Sequence, residues 1–260
     1  MDCQRVLTTS PRTLRAAPRN IFTMNQNAIR IFRELPSGHS AEVNPYYEIL
    51  KKSCKNKTLP LLYGPFLKEK KGNWREEFEN SPIDLILEIG CHKGSTLCQI
   101  AEDNKELGFI GIDITYKRVC ETASLAVSKE LQNIRSVLAN GNELSYIFQE
   151  AELSGIIIFF PDPWLKKKRQ KKNRLIKREF CDIIRNLLKK EGFVWFKTDS
   201  EEYFTEARDA FLNSGFKQGD LNNTFFKKNY ESTFESRFRK QGLGKYESIF
   251  IVSPSISLVE

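Results

Sequence analysis

The stretch DLILEIGCHKGSTLCQIA, residues 84–101, decides the architecture. Its first part, DLILEIG (84–90), is a short apolar strand closed by a glycine, and STLCQIA (95–101) reads as a helix. A strand that passes through a glycine-containing turn into a helix is the opening unit of an alternating α/β chain. The alternation continues downstream. GFIGID (108–113) is a second strand, 116–129 a helix, and NIRSVLA (133–139) a third strand. GIIIFF (155–160) is a fourth, apolar throughout and so expected at the centre of a sheet covered on both faces. Ile176, Phe180, Ile183, Ile184, Leu187 and Leu188 form a helical stripe. GFVWFKT (192–198) is a fifth strand, 200–214 a helix stopped at Gly215, and YESIFIV (246–252) a late strand. The pattern predicts an α/β fold: a parallel sheet with helices on both faces.

The bulk composition sets limits. With 260 residues, 40% apolar content and 19 Phe, the chain fits one large domain or one domain with extensions. Its 41 basic against 33 acidic side chains leave a net charge of +8, which favours a polyanionic partner or a merely basic surface. The six cysteines form no CxxC pair, and only His39 and His92 stand ready to assist them, so no metal site is expected. Scattered thiols suit a reducing interior. No apolar run approaches the ~18–20 residues of a membrane span. Residues 3–33 hold six arginines and no acid. Residues 1–40 are therefore expected to be a basic, disordered extension, with the folded domain over 41–260. The expected location is the cytoplasm. The alternatives are an organelle address over 1–23, or a true start at Met24.

In sheets of this kind ligands bind beyond the carboxyl ends of the strands, where Glu88, Gly90, Asp113, Asn140, Asp162, Thr198 and Asp199 stand. The turn from Glu88 to Gly94 lacks the dinucleotide fingerprint: His92 takes the place of its second glycine and Ser95 that of its third. That argues against NAD. Asp113 ends the second strand, where an acid accepts both hydroxyls of a ribose, and Asn140 is placed to read an adenine edge. Each alone is ordinary: a turn glycine, a helix cap, a loop asparagine. Together they fit a nucleoside cofactor such as S-adenosylmethionine.

The second informative stretch is FFPDPWLKKKRQKKNR, 159–174. An apolar strand breaks at Pro161-Asp162-Pro163-Trp164, and Lys166, Lys167, Lys168, Arg169, Lys171, Lys172 and Arg174 follow. One acid, two stiff prolines and a positive field suit chemistry on a nucleic-acid base, the cations holding phosphate. Trp164 has two readings, a stacking platform for a splayed base or a core residue held to the sheet by Pro163; the second is preferred.

With these residues in place, the chain resembles the bacterial-type tRNA (guanine-N7-)-methyltransferase family. Four motifs match in order: EIG-x-x-x-G (88–94), FPDPW-x-K (160–166), TD-x-E-x-Y (198–203) and S-T-F-E-x-R with Gly242 (232–242). The resemblance spans roughly 84–252. It implies a Rossmann-like class I methyltransferase with a mostly parallel, seven-stranded twisted sheet and an antiparallel late strand. It also implies transfer of a methyl group from S-adenosylmethionine to N7 of a guanosine in the tRNA variable loop. By motif match, Glu88, Gly90, Gly94, Asp113, Asn140 and Asp162 line the cofactor side, and Asp162 is the active-site acid. Lys166, Asp199, Ser232, Thr233, Phe234 and Glu235 contact the target nucleotide, and Lys167, Lys168, Arg169, Lys171, Lys172 and Arg174 the RNA. No protein partner is indicated. The chain departs from the family at His92, where a second glycine is common, and at Asn140, where an acid is frequent. Ser232 replaces threonine, and the basic run lacks the usual histidine and Arg-Arg pair.

Guanine N7 carries no proton, so no strong base is implied; the task is alignment of N7 with the methyl carbon at about 3–3.5 Å. Asp162 and Asp199 are expected to accept from the guanine N1–H and amino group or to stabilise its developing positive charge. Rival readings are a methyltransferase of the same fold acting elsewhere, or a non-catalytic RNA-binding subunit with a degenerate cofactor pocket.

Overall fold

The computed structural model describes residues 45–165, 168–222, 224–228, 230–242 and 244–253. The expected basic extension over 1–40, and with it the alternative of an organelle address, lies outside the described residues, as do Lys166 and Lys167.

The chain opens with helix α1 (Pro45–Asn56) and a two-residue strand β1 (Leu61–Leu62). Then come β2 (Leu85–Ile89), α2 (Ser95–Asp103), β3 (Gly108–Asp113), α3 (Tyr116–Ser128), β4 (Ile134–Leu138), the single turn α4 (Leu144–Ile147) and β5 (Leu153–Phe159). The second half holds α5 (Arg178–Leu187), β6 (Leu188–Thr198), α6 (Glu201–Asn213), β7 (Phe216–Gln218), α7 (Thr224–Lys227), α8 (Thr233–Lys240) and β8 (Tyr246–Val252). One sheet runs in the order β1-β4-β3-β2-β5-β6-β8-β7. All neighbours are parallel except β8, which runs antiparallel to both β6 and β7. The described sheet thus has eight strands, not the seven expected; β1, pairing Leu61 with Ser136 at the outer edge, is too short to show any periodicity.

Alternation along the strands sorts the core into two layers. Leu85, Leu87 and Ile89 of β2, Ile156 and Ile158 of β5 and Val194 and Phe196 of β6 pack with Phe180 and Ile184 of α5 and Tyr203 and Phe211 of α6. On the opposite face Ile86, Ile157, Phe159 and Trp195 meet Leu97 and Ile100 of α2 and Tyr230. β5 is central as its composition demands: buried on both faces, it lies between β2 and β6. The strand order reverses between β2 and β5, since β3 and β4 extend to one side and β6 to the other. That switch point opens a crevice at the carboxyl ends of β2 and β5. Glu88 sits there on one strand, and the Pro161-Asp162-Pro163 loop leaves the other.

Candidate active site

The turn after β2 is shaped by glycine. Gly90 adopts φ +79° and Gly94 φ +72°, a region costly to side chains. A Cβ on Gly94 would lie 2.6 Å from Thr122 Cγ2, so the turn is pressed against α3. A Cβ on Gly90 would meet nothing within 4 Å. Bare backbone at Gly90 therefore faces open space, which is what a ligand approaching closely requires. His92 takes φ +50° despite its side chain, and its ring packs 4.9 Å from that of Phe234. The same turn backbone holds Asp113: its carboxylate accepts from the His92 N–H at 3.3 Å and the Thr115 N–H at 2.9 Å. Asn140 caps the turn after β4, its side-chain oxygen accepting from the Asn142 N–H.

Glu88 is buried, 4% exposed, and its Oε2 has no hydrogen-bond partner among the described residues. Burial, with the charge of Asp113 beside it, pushes its pKa up to about 8. It lines a narrow cleft with Gly90, Cys91, His92, Lys93, Ser95, Thr96, Phe159, Ser232, Thr233 and Phe234. The start of α8 therefore closes over the glycine turn. Ser232 and Thr233, expected to contact the nucleotide, line this cleft together with Phe234. Ser232 is also the N-cap of α8, its hydroxyl accepting from the Glu235 N–H at 3.0 Å. Glu235 points the other way. Only 8% exposed, it faces Lys197 and Lys245 rather than the cleft.

The PDPW loop is bracketed by two left-handed residues, Phe160 at φ +51° and Trp164 at φ +50°. Such a backbone costs roughly 1–2 kcal/mol at each side chain, and strain of this kind collects at functional loops. Asp162 is exposed, one carboxylate oxygen accepting from the Trp164 N–H at 3.1 Å. Asp199, half-buried, follows the end of β6, the parallel neighbour of β5, so both acids lie at adjacent strand ends. Trp164 is half-buried, not the core residue preferred from sequence; Trp74 and Trp195 fill that role.

The basic run divides. Arg169 and Lys172 are exposed. Lys171 is half-buried and paired with Glu202 at 2.5 Å and Glu206 at 3.7 Å. Arg174, expected on the RNA, is instead 4% exposed. Its guanidinium pairs with Glu202 at 2.7 Å and with Glu206, stacks over Tyr203, and donates through Nε to the Pro163 carbonyl at 2.8 Å. This arginine ties the PDPW loop to α6 and is not free for phosphate. Sequence reasoning missed it because its partners lie 28 and 32 residues away. It also passed over Lys197, a lysine at an inward position directly after the apolar run Phe193 to Phe196.

A concavity of about 920 Å³ lies elsewhere, between α1, β1 and the amino end of β4, and holds none of these motifs. Among the described residues no cluster of His, Cys, Asp and Glu is placed to bind a metal, and no helix is long and apolar enough to cross a membrane.

Comparison with known proteins identifies the family. Residues 83–248 match the family described as "Putative methyltransferase". The tRNA (guanine-N(7)-)-methyltransferase of Clostridium kluyveri is 34% identical over 187 residues, covering 70% of this chain and 86% of the relative. That of Clostridium tetani is 32% identical over 190 residues, covering 72% and 88%. In fold, the chain is similar to the 16S rRNA methyltransferase KamB, with a TM-score of 0.51 at 12% identity over 66% of this chain and 89% of that one. With the glycine turn, the PDPW loop and the α8 cap gathered at one switch point, and with relatives of that identity and coverage, the chain belongs to the tRNA (guanine-N7-)-methyltransferase family.

Proposed function

We infer that the cleft between the glycine turn and α8 binds S-adenosylmethionine, and that guanosine enters beside it between Asp162 and Asp199. The reaction is methyl transfer to N7 of a guanosine in tRNA, the activity by which the chain's curated relatives are named. The single observation that carries the cofactor reading is the open space over Gly90 flanked by the orphaned Glu88 carboxyl. A bare backbone and a buried carboxyl with an unpartnered oxygen together fit a guest that approaches closely and brings hydrogen-bonding groups.

Glu88, Gly90, Gly94, Asp113 and Asn140 would hold the cofactor. Asp113 is pre-oriented by two backbone N–H groups and keeps lone pairs for ribose hydroxyls. When bound, S-adenosylmethionine supplies a methyl group on a positively charged sulfur. The protein's own contribution is alignment and charge. Asp162 and Asp199 hold the purine by its N–H edge, and their negative charge opposes the positive charge the ring acquires. No residue has to remove a proton from N7. Phe234 and His92 shut the cleft against water. Lys166, Lys167, Lys168, Arg169 and Lys172 bind phosphate and bring the variable loop to the site.

The test is incubation with unmodified tRNA and methyl-labelled cofactor, then nucleoside analysis. The label is expected in 7-methylguanosine at a variable-loop position. Label in another nucleoside, or none, overturns the reading.

A further inference from the structure

α8 carries part of the cleft wall in its first turn, yet it is held down in an unusual way. A short surface helix is ordinarily fixed by an apolar stripe. Here the one buried residue of α8 is Glu235, while Phe234 and Phe238 are half-buried. Beneath it Lys197 is 1% exposed on β6. Its Nζ donates to the Tyr230 carbonyl at 3.3 Å and lies 3.5 Å from both Glu235 and Glu247. The same ammonium lies over the rings of Phe159 at 4.6 Å and Trp195 at 4.9 Å. Lys245, itself exposed, completes the cluster, 3.1 Å from Glu235 and 2.9 Å from Glu247, so two cations face two anions, of which Lys197 and Glu235 are buried.

The backbone of Lys197 is engaged as well. Its carbonyl accepts from the Phe160 N–H at 2.8 Å, where the left-handed turn toward Asp162 begins. Asp199 follows two residues later. One residue therefore touches all three substrate-side motifs: the PDPW loop through its carbonyl, the TD motif through its own strand, and α8 through its side chain.

We propose that Lys197 is a positioning residue for methyl transfer, its ammonium pinning α8 through Glu235 so that Ser232, Thr233 and Phe234 close the cofactor cleft. This rests on the cleft being the cofactor site. It also assigns Glu235 to the pin and not to the guanine edge. Arg237, Arg239 and Lys240 of α8 are tryptic sites, so the docking of the helix is measurable without any ligand.

The experiment compares the parent with Lys197→Met, Glu235→Gln and the double variant in the full chain. Without cofactor, both single variants should be cleaved by trypsin within α8 at least about 5-fold faster than the parent, with Lys197→Arg restoring part of the protection. With cofactor and tRNA, each single variant should lose about 10-fold or more in kcat/KM for S-adenosylmethionine, mainly through KM. The double variant should be little worse than either single, because both break one link. Parent-like cleavage of α8 in Glu235→Gln, or losses that multiply in the double variant, overturns the pin. Glu235→Gln alters the helix side of the link and keeps the test decisive if Lys197→Met does not fold. Calorimetry of the parent with S-adenosylmethionine separates the two ideas. Failure to bind removes the cofactor reading, while the cleavage comparison still decides whether Lys197 holds α8.

Discussion

At the scale of single residues, Glu88 and Asp162 show how one carboxyl chemistry is put to two uses by its surroundings. Glu88 is buried and half-orphaned, with a pKa of about 8 against the usual value near 4.5, so near neutrality the folded protein holds a proton there that the unfolded chain lacks. For an acid raised in this way, folding is favoured below its unfolded pKa, and that contribution is lost as pH climbs from about 4.5 toward 8. Urea unfolding between pH 5 and 8 should show stability falling by at most about 1.4 kcal/mol per pH unit from this residue, and Glu88→Gln should flatten the slope. An unchanged slope in the variant removes Glu88 as its source. Asp162, by contrast, is exposed and makes a single local hydrogen bond. Asp162→Ala should therefore cost no more than about 1.5 kcal/mol of stability while, in the proposed function, lowering kcat roughly 100-fold through loss of the charge that would face the purine. Parent-like turnover in a folded variant would show that the acid is not part of the chemistry.

At the scale of elements, the strand–turn–helix unit of 84–101 was legible because apolar runs, glycine punctuation and helical spacing are all local signals. β2 to β6 and β8 share that legibility. β1, with two residues, and β7, with three, do not, because a period needs more positions than they have. β6 begins at Leu188, four residues before the apolar stretch that announced it, because α5 runs straight into it and the intervening Lys189-Lys190-Glu191 carries no strand pattern. The split of the basic run into exposed cations, Arg169 and Lys172, and a buried clamp was also hidden, since α6 supplies Glu202 and Glu206 from a distance in sequence. Within the glycine turn the two glycines differ in kind, and a pair of variants separates them. Gly90→Ala should cost only the roughly 1–2 kcal/mol of a left-handed alanine, because its Cβ points into open space, yet should abolish cofactor binding by filling that space. Gly94→Ala adds a collision with Thr122 to the same strain and should lower the unfolding midpoint further. Calorimetry and thermal melting of the two proteins check both halves; equal melting points would show that the turn yields at α3.

At the scale of the whole molecule, the excess of eight positive charges is spread over a chain whose chemistry sits at one end of one sheet. In the proposed function, net charge favours association with tRNA as a whole, while cations beside the PDPW loop would set its register. Each phosphate neutralised releases counterions, so affinity should fall linearly in log–log terms with salt, with a slope of roughly −0.7 to −0.9 per contact. Lys172 and Arg174 stand two residues apart in the run and should respond differently. Lys172→Ala, removing an exposed cation, should weaken binding at every salt concentration and reduce the slope by about one contact, leaving the melting point near that of the parent. Arg174→Ala removes the tie between the Pro163 carbonyl and α6 and leaves Glu202 and Glu206 without that partner. It should destabilise the fold by about 2–3 kcal/mol, in the range for hydrogen bonds to a charged group. Its salt slope should stay close to the parent's, because the side chain is buried and engaged by Glu202, Glu206 and the Pro163 carbonyl, even as turnover falls with the misplaced PDPW loop. Filter binding across a salt series and thermal melting of both variants decide the matter. A slope in Arg174→Ala as shallow as that of Lys172→Ala would mean that the arginine leaves α6 for the RNA when tRNA binds.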